Sequence, residues 1–413
     1  MEFSKARAAG ACTLMLWMAP AIALDDLTLA QALDAALQRN PELAASAFEL
    51  TAAMARREQA GLRPNTEASL ELENFAGNGA QRGTDALETT LALSQVIELG
   101  GKRAARLAVA EADLESSAVG QRAHELDALA ETTRRFIDAA AARERLTFAR
   151  DARRLAQETL AAIGKRVDAA RSPIAERSRA RIALTRADLD LRQAERNSRA
   201  ARYQLAASFG DTEPQFAEVR ADLFGFAASE PFNAWFERLA RNPDLLRFAS
   251  AARQRDAELR LAQAQSRPDL SVSVGVRRFA DTGDTALVAG LSMPIAWRDR
   301  NQGAIAEARA RRSQTEAERV AALSRLRATL FALHGQADAA RERAQTLRDD
   351  ALPQARAALE QTRSGYDVGR FSFLELASAQ AELLELQQAA IDAAADHHRL
   401  RAELERLTGE ASP

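Results

Sequence analysis

Two stretches of the chain alternate apolar and polar residues with a period of two, which predicts β-strands. In the first half, Leu70 and Leu72 alternate with Glu71 and Glu73. In the second half the alternation is cleaner, and its apolar positions are Leu270, Val272, Val274 and Val276. A turn-rich loop and a partner run of the same kind follow each stretch. The pattern therefore predicts two β-hairpins, at about 66–97 and about 268–296.

A tract of helical periodicity follows each predicted hairpin and is interrupted once by a short turn. We predict long antiparallel helical hairpins over 102–208 and 302–407, whose outgoing helices of roughly 60 residues extend on the order of 90 Å. In the second tract, apolar residues spaced alternately three and four apart form a heptad seam, which favours left-handed supercoiling. The seam consists of Leu323, Leu326, Leu330, Leu333, Ala337, Ala340, Ala344, Leu347 and Ala351. Pro353 interrupts it and predicts a bent or locally unwound turn.

Short motifs recur at a spacing of about two hundred residues, which is typical of a tandem duplication. The tripeptide Arg-Asn-Pro at 39–41 recurs at 241–243, and Arg-Pro at 63–64 recurs at 267–268. We therefore divide the chain into repeat 1 at 24–208, a linker at 209–232, and repeat 2 at 233–413. For the linker, a mixture of Gly, Pro and aromatic residues, we expect at most a turn of helix or a short strand.

The composition favours long helices over a compact enzyme core. Hydrophobic residues make up 47% of the chain but aromatic residues only 5%, and long tracts consist mainly of Ala, Leu, Arg, Glu and Gln. The 56 basic and 58 acidic residues are interspersed and leave a net charge of −2. No basic face of the kind that binds nucleic acid is present in this pattern, so we expect no nucleic-acid partner.

The first 23 residues have the pattern of a cleaved signal peptide. Lys5 and Arg7 precede an apolar stretch, and Ala-Ile-Ala at 21–23 matches a cleavage site, so we expect an exported chain that starts at Leu24. The sole cysteine, Cys12, falls inside this peptide and is badly placed for lipidation. We therefore expect neither a disulfide nor a thiolate metal site in the mature chain. No later stretch has about 18 consecutive apolar residues, so we expect no transmembrane helix.

We predict no catalytic, cofactor-binding or metal-binding residues, and hence no enzyme, because no motif for nucleophilic, metal-assisted or phosphate chemistry occurs. His397 and His398 are adjacent on a predicted helix, so their side chains diverge by about 100° and are poor joint metal ligands. For this pair we expect a solvated helix face. For His124 and His334 we expect structural or surface roles.

The predicted strands have the length of membrane-spanning strands. A strand of about 10 residues with one apolar face matches a tilted strand of an outer-membrane barrel. Four strands cannot close a barrel, because the smallest membrane barrels need about 8, whereas three chains together supply about twelve. The same alternation also arises in a soluble sheet of two hairpins packed on helices. The strand pattern alone favours neither architecture.

Two segments and the order of elements resemble the TolC-like outer-membrane efflux factors. The segments are LTLAQALDAALQRNP from Leu27 and LSQVIELGGKRAAR from Leu93, and the resemblance covers essentially the whole predicted mature chain. The string IELGGKR from Ile97 is most similar to the subgroup that serves heavy-metal efflux pumps of the resistance-nodulation-division type, the cobalt-zinc-cadmium type.

The resemblance implies a mainly α fold with a small β part, assembled as a homotrimer. Three chains would form one 12-stranded outer-membrane β-barrel, continued by a 12-helix periplasmic α-barrel. The partners it implies are outer-membrane lipid, a periplasmic adaptor protein and an inner-membrane resistance-nodulation-division pump. The expected function is that of a passive exit duct, with heavy-metal cations as the expected cargo.

The resemblance further implies that the tips of the helical hairpins close the duct at rest and contact the adaptor. The residues assigned to these tips are Asp168, Arg171, Ser172, Gly365, Tyr366, Asp367, Gly369, Arg370 and Phe371. The first tip departs from the family pattern, with Ala170 where the second has Gly369. For the charged tip residues two interpretations remain open: ion pairs between hairpins that hold the closed end, and solvated caps of the helices, since exposed ion pairs contribute little. For the barrel lumen the strand alternation assigns Glu71, Glu73 and Arg277.

Other functions remain open from the sequence. A secreted coiled-coil scaffold explains the heptads and the signal peptide but leaves the membrane-length hairpins without a purpose. A soluble periplasmic enzyme would need a site that the sequence does not reveal. Within transport, a duct for drug efflux or for type I protein secretion is the nearest alternative to metal efflux.

Overall fold

The computed structural model describes residues 26–409, so the predicted signal peptide at 1–23 lies outside the described residues. Both halves of the chain have the same order of elements: two helices, two strands, a long helix and a return helix. The first half contains α1 (Leu29–Arg39), α2 (Pro41–Ala60), β1 (Glu67–Glu73), β2 (Glu88–Ile97), α3 (Lys102–Asp168) and α4 (Ile174–Ser208). The second contains α5 (Phe232–Arg238), α6 (Pro243–Gln265), β3 (Leu270–Phe279), β4 (Thr285–Ser292), α7 (Gln302–Thr346), α8 (Leu352–Asp367) and α9 (Phe373–Leu407).

One asparagine in each half connects the start of a helix to the end of the return helix. Asn40 accepts hydrogen bonds from the first turn of α2, and its Nδ2 donates to the carbonyl of Ser208 at 2.9 Å. Asn242 caps α6 in the same way, and its Nδ2 donates to the carbonyl of Leu407 at 2.7 Å. A proline follows each asparagine because the first helical N–H needs no partner. The amide thus satisfies groups at two helix ends that the helices leave unpaired.

The four strands form one antiparallel sheet in the order β1-β2-β3-β4. The two predicted hairpins are joined because β2 pairs with β3, which the sequence pattern did not indicate. One face of the sheet is apolar and exposed in the single chain, with Leu287 83% and Leu291 73% exposed. The opposite face carries polar and small side chains, among them Glu73, Thr90 and Gly275.

The two long helices extend about one turn beyond their predicted ends. α3 has 67 residues and is therefore about 100 Å long. The corresponding helix of the second half is divided into α7 and α8 by a π-helical turn at Leu347–Ala351. This turn immediately precedes Pro353, whose ring cannot donate to the preceding turn and crowds it. The predicted locally unwound turn is confirmed.

α3 is the central helix of the helical layer, with α2, α4, α6 and α9 packed against it. Its sheet-proximal part packs between α2 and α6, as the ion pairs Arg57–Glu111 and Arg253–Glu115 show. Its sheet-distal part packs between α4 and α9. Alanines such as Ala141 and Ala394 are fully buried between these helices, so their axes can lie close together. None of the helices in the described part of the chain is long and apolar enough to cross a membrane.

The segment 209–232 packs across the helical layer as extended chain and turns. Phe216, Val219 and Leu223 are buried against the helices, and Val219 forms an isolated β-bridge with Leu27. Within this described segment no helix forms before Phe232 and no strand forms, so even the short element allowed by the sequence is absent. Its conformation is set by the helices that it covers.

The prediction that His397 and His398 lie on a solvated helix face is wrong. His397 is only 6% exposed and its Nδ1 lies 2.8 Å from the carbonyl oxygen of Ala337, while Nε2 of His398 lies 2.9 Å from that of Leu223. The ring of Phe226 packs against both imidazoles. In an isolated α9 the two histidines would be solvated. In the folded chain the segment 209–232 covers the face of α9 on which they lie.

Candidate gate and candidate channel lining

The two tips of the helical hairpins have the same backbone fold. In the first tip the amide of Arg171 donates to the carbonyl of Arg166, and the amide of Ala170 donates to that of Val167. The second tip repeats both bonds, from Arg370 to Gly365 and from Gly369 to Tyr366. This pair of bonds is the Schellman motif, which satisfies the last carbonyls of a helix.

The motif needs one residue in the left-handed conformation, and the two tips fill this position differently. Gly369 adopts φ 80° and Ala170 adopts φ 56°. Glycine accepts this conformation without steric cost, whereas alanine is strained in it. The first tip therefore forms the same Schellman turn as the second, although Ala170 takes the place of the glycine.

Arg166 connects the two tips. Its Nη1 donates to the carbonyl oxygens of Tyr366 at 3.0 Å and Asp367 at 2.8 Å, at the end of α8. Its guanidinium lies over the Tyr366 ring, with 4.6 Å from Cζ to the ring centroid. Its Nε also donates to Oγ of Ser172 at 3.2 Å. One cation thus caps a helix of the second hairpin from the first hairpin.

Tyr366 is the buried member of this contact. It is 3% exposed within an apolar cluster that includes Ile163, Leu359 and Phe373. Its hydroxyl donates to Oε2 of Glu176 on α4 at 2.9 Å. Burial, followed by the neighbouring carboxylate of Glu176, raises the pKa of Tyr366, so the phenol remains protonated and can donate.

The remaining predicted tip residues lie around this contact. Asp168 pairs with Arg177 of its own hairpin at 2.9 Å, and not with the other hairpin. In the described part of a single chain, the charged groups of Arg171, Asp367 and Arg370 make no ion pair. The turns leave these three residues exposed at the surface. The ion pairs between hairpins that the sequence left open therefore do not occur within one chain.

Within the second tip, Gly365 and Phe371 are in close contact. A Cβ atom on Gly365 would overlap the ring of Phe371, so the glycine lets this ring lie against the end of α8. Phe371 is still 42% exposed. The second tip therefore presents an aromatic side chain at its surface, next to the Schellman turn.

The three predicted lumen residues lie on the polar face of the sheet. Arg277 donates to Oε2 of Glu88 at 2.9 Å and to Oγ1 of Thr90 at 2.9 Å, and it pairs with Glu73 at 3.0 Å. Glu73 and Glu88 are directly opposite each other on β1 and β2. Arg277 therefore separates two carboxylates that would otherwise repel each other. Glu71 is opposite Thr90 and lies outside these contacts.

Sequence reasoning placed Ser172 and Tyr366 correctly at the tips but missed Arg166 and Glu176. It likewise missed that Glu88 and Thr90 complete the Arg277 cluster. No local motif marks these four residues. Within the described residues no group of His, Cys, Asp and Glu is arranged to hold a metal ion. The geometry thus brings together a contact between the two hairpins at the tips and a polar face of the sheet.

Comparison with known proteins identifies the architecture. The family model described as outer membrane efflux protein matches the chain twice, over residues 32–211 and 237–410. The chain belongs to the outer membrane efflux protein family. Members of this family are passive channels, so the chain is an outer-membrane efflux channel protein and not an enzyme.

Two curated efflux relatives and one solved channel illustrate the similarity. The cobalt-zinc-cadmium resistance protein CzcC of Cupriavidus metallidurans is 27% identical over 397 residues, which cover 96% of this chain and 93% of that protein. The nickel and cobalt resistance protein CnrC of the same organism is 29% identical over 295 residues, covering 70% of this chain and 69% of CnrC. The outer membrane protein VceC of Vibrio cholerae has a TM-score of 0.74 at 20% identity, covering 92% of this chain and 96% of VceC. The efflux channel fold is therefore the fold of this chain.

Proposed function

We propose that three copies of this chain form the outer-membrane exit duct of a tripartite efflux system for heavy-metal cations. In this duct the sheets close into a 12-stranded barrel and the helices form a periplasmic tunnel. A periplasmic adaptor and an inner-membrane resistance-nodulation-division pump deliver the cations, and the predicted signal peptide routes the chain to the outer membrane. The duct itself performs no chemistry, and the pump supplies the energy.

The observation that carries the proposal is a sheet that is incomplete in one chain and whose two central strands, β2 and β3, have the 10 residues of a membrane-spanning strand. Within the described residues, β1 and β4 each pair on one side only, so the sheet has two open edges. Open edges are not tolerated in lipid, because each unpaired N–H and C=O costs several kcal/mol there. Pairing β1 of one copy with β4 of the next removes every edge and places the exposed apolar face towards lipid.

The helical tips support a gate at the far end of the tunnel. They lie about 100 Å from the sheet along α3. The contact of Arg166 with Tyr366 holds the two hairpins of a chain together, and we propose that the adaptor opens the duct by separating them. The exposed tip residues Asp168, Arg171, Asp367, Arg370 and Phe371 form the surface that we assign to the adaptor and to neighbouring tips.

The proposed cargo rests on the relatives. The names of CzcC and CnrC connect these proteins with resistance to cobalt, zinc, cadmium and nickel. No metal-holding group occurs among the described residues, and a passive duct needs none because the pump selects the cargo. We therefore propose heavy-metal cations as the cargo of the whole efflux system, and we assign no metal-binding site to this chain.

The assembly is tested by the mass of the particle that detergent extracts from the outer-membrane fraction, corrected for bound detergent. About three chains per particle and ion conductance in a planar bilayer support the duct. A detergent-independent soluble monomer would overturn it.

The cargo is tested by deleting the gene and measuring growth on cobalt, zinc and cadmium salts and on unrelated antibiotics. We expect increased sensitivity to the metals that reexpression of the chain reverses. Sensitivity only to antibiotics would instead assign the duct to drug efflux.

A further inference from the structure

Exposed arginines occur at all four connections between the sheet and the helices. Arg63 lies between α2 and β1, Arg103 follows β2, Arg267 precedes β3, and Arg298 and Arg300 follow β4. All five residues are exposed, and within the described residues none of the five side chains makes an ion pair. We name these five residues the junction belt.

Two of the four acidic groups near the junction belt already have cationic partners. Asp269 pairs with Lys102 at 2.8 Å, and Glu98 pairs with Arg106. Oδ1 of Asp299 accepts the amide of Asn301 at the start of α7. Glu67 lies on the polar face of the sheet, opposite Ser94. Within the described part of the chain, the five belt arginines make no ion pair and outnumber the nearby unpaired carboxylates, Asp299 and Glu67, so the belt carries an excess of positive charge.

The belt adjoins the end of the apolar sheet face. Beyond β4 the chain presents two further apolar side chains at the surface, Ile295, which is 82% exposed, and Trp297, which is 69% exposed. The guanidinium of Arg298 lies over the Trp297 ring, with 4.4 Å from Cζ to the centroid. An apolar surface that ends in tryptophan and arginine matches the boundary between hydrocarbon and headgroups.

We propose that the junction belt binds the phosphodiester groups of anionic phospholipids in the leaflet on the helix side of the sheet. This inference rests on the proposed membrane location of the sheet. Guanidinium groups bind phosphate oxygens through two parallel N–H bonds and attract a headgroup with net negative charge. A zwitterionic headgroup adds its own cation, which offsets this attraction. In a trimer the belt would surround the barrel as a continuous ring.

The position of the belt favours lipid over a protein partner. The proposed adaptor surface lies at the tips, at the opposite end of α3. The residue stacked by Arg298 is an exposed apolar side chain just beyond β4, and in the proposed barrel only lipid covers this surface. A neighbouring copy is the competing occupant, and the test separates the two.

The test counts phospholipids bound to the full-length particle in detergent by native mass spectrometry. The particle is mixed with phosphatidylglycerol or with phosphatidylcholine at equal concentration. We expect the unmodified chain to bind phosphatidylglycerol with a roughly tenfold higher apparent affinity than phosphatidylcholine.

Two double variants test the belt arginines: Arg298→Gln with Arg300→Gln, and separately Arg63→Gln with Arg267→Gln. Each should reduce this preference severalfold. The matched control Arg192→Gln with Arg199→Gln changes two exposed arginines of α4 that also make no ion pair among the described residues, and it should keep the preference.

Three results would overturn the proposal. Equal binding of both lipids by the unmodified particle, or an unchanged preference in both belt variants, would remove the lipid assignment. Dissociation of both belt variants into monomers would assign the arginines to contacts between copies. In each case, a conducting trimer of the unmodified chain would leave the proposed duct intact. A soluble monomer of the unmodified chain would instead end the duct proposal itself.

Discussion

The guanidinium of Arg166 donates to the backbone carbonyl of Tyr366 at 3.0 Å and stacks over the ring of the same residue. The two residues belong to different hairpins and are 200 positions apart in the sequence. The contact therefore couples the end of α3 to the end of α8. In the proposed duct it is the strongest candidate for a latch within each chain.

Replacing Arg166 by Ala should weaken the closed tips. The change removes three hydrogen bonds from a cation, to Tyr366, Asp367 and Ser172, and the contact with the tyrosine ring, together about 2 kcal/mol at this half-buried position. We expect faster uptake of a large antibiotic by cells that express the variant, and a larger fraction of open time in planar bilayers. Lys165→Ala, an exposed neighbour, is the control and should behave like the unmodified chain. Equal permeability of the two variants would exclude Arg166 as a latch.

The left-handed residues of the two tips predict stability changes of opposite sign. Ala170→Gly relieves the strain at φ 56°, and Gly369→Ala introduces it at φ 80°. After the larger unfolded-state entropy of glycine is subtracted, each change amounts to roughly 0.5–1 kcal/mol. Thermal unfolding in detergent should show a raised Tm for the first variant and a lowered Tm for the second. Shifts in the same direction would contradict the equivalence of the two turns.

Replacing Arg277 by Gln should destabilise the sheet and increase cation selectivity. The variant leaves the carboxylates of Glu73 and Glu88 opposite each other, which costs roughly 0.2–1 kcal/mol in a strand pair. In the proposed lumen it also removes the positive charge from this cluster, so the reversal potential in a salt gradient should shift towards cations. Arg278→Gln is the matched control, because its side chain is on the opposite, exposed face. A shift of equal size in both variants would remove Arg277 from the lumen.

The buried histidines predict that acidification lowers stability. Burial lowers the pKa of His397, and the charges of Arg401 and Arg341 lower it further, although the carbonyl of Ala337 and the charge of Asp338 oppose this. Burial likewise lowers the pKa of His398, to which the charge of His397 adds. Since the unfolded chain binds these protons more readily than the folded chain, stability is complete above the unfolded-state value of about 6.5 and falls as the pH decreases below it.

This dependence is measured as Tm between pH 8 and pH 5, about one and a half units on either side of the unfolded-state value. The double variant His397→Gln with His398→Gln should have a smaller decrease of Tm on acidification than the unmodified chain. His124→Gln changes an exposed histidine and serves as the control. A decrease of the same size in the double variant would show that other groups cause the acid sensitivity.

Much of the candidate site was accessible from local sequence signals. Ser172 and Tyr366 lie at the tips because turn residues ended both helical tracts at equivalent positions. Arg277 lies on the polar face because a period of two fixes the face of every strand residue. Arg166 gave no such signal, since an arginine near a helix end is ordinary and its partner is 200 residues away.

The sequence by itself determined the order and approximate position of the elements, the two faces of the strands, the turns at the tips and the unwound turn before Pro353. These features depend on contacts between residues at most a few positions apart, which periodicity and turn composition record. Only the tertiary structure decided that β2 pairs with β3, that Arg166 caps α8, and that the segment 209–232 buries His397 and His398. Such contacts depend on how distant elements pack together, and the pattern within a single helix or strand contains no information about its distant neighbours.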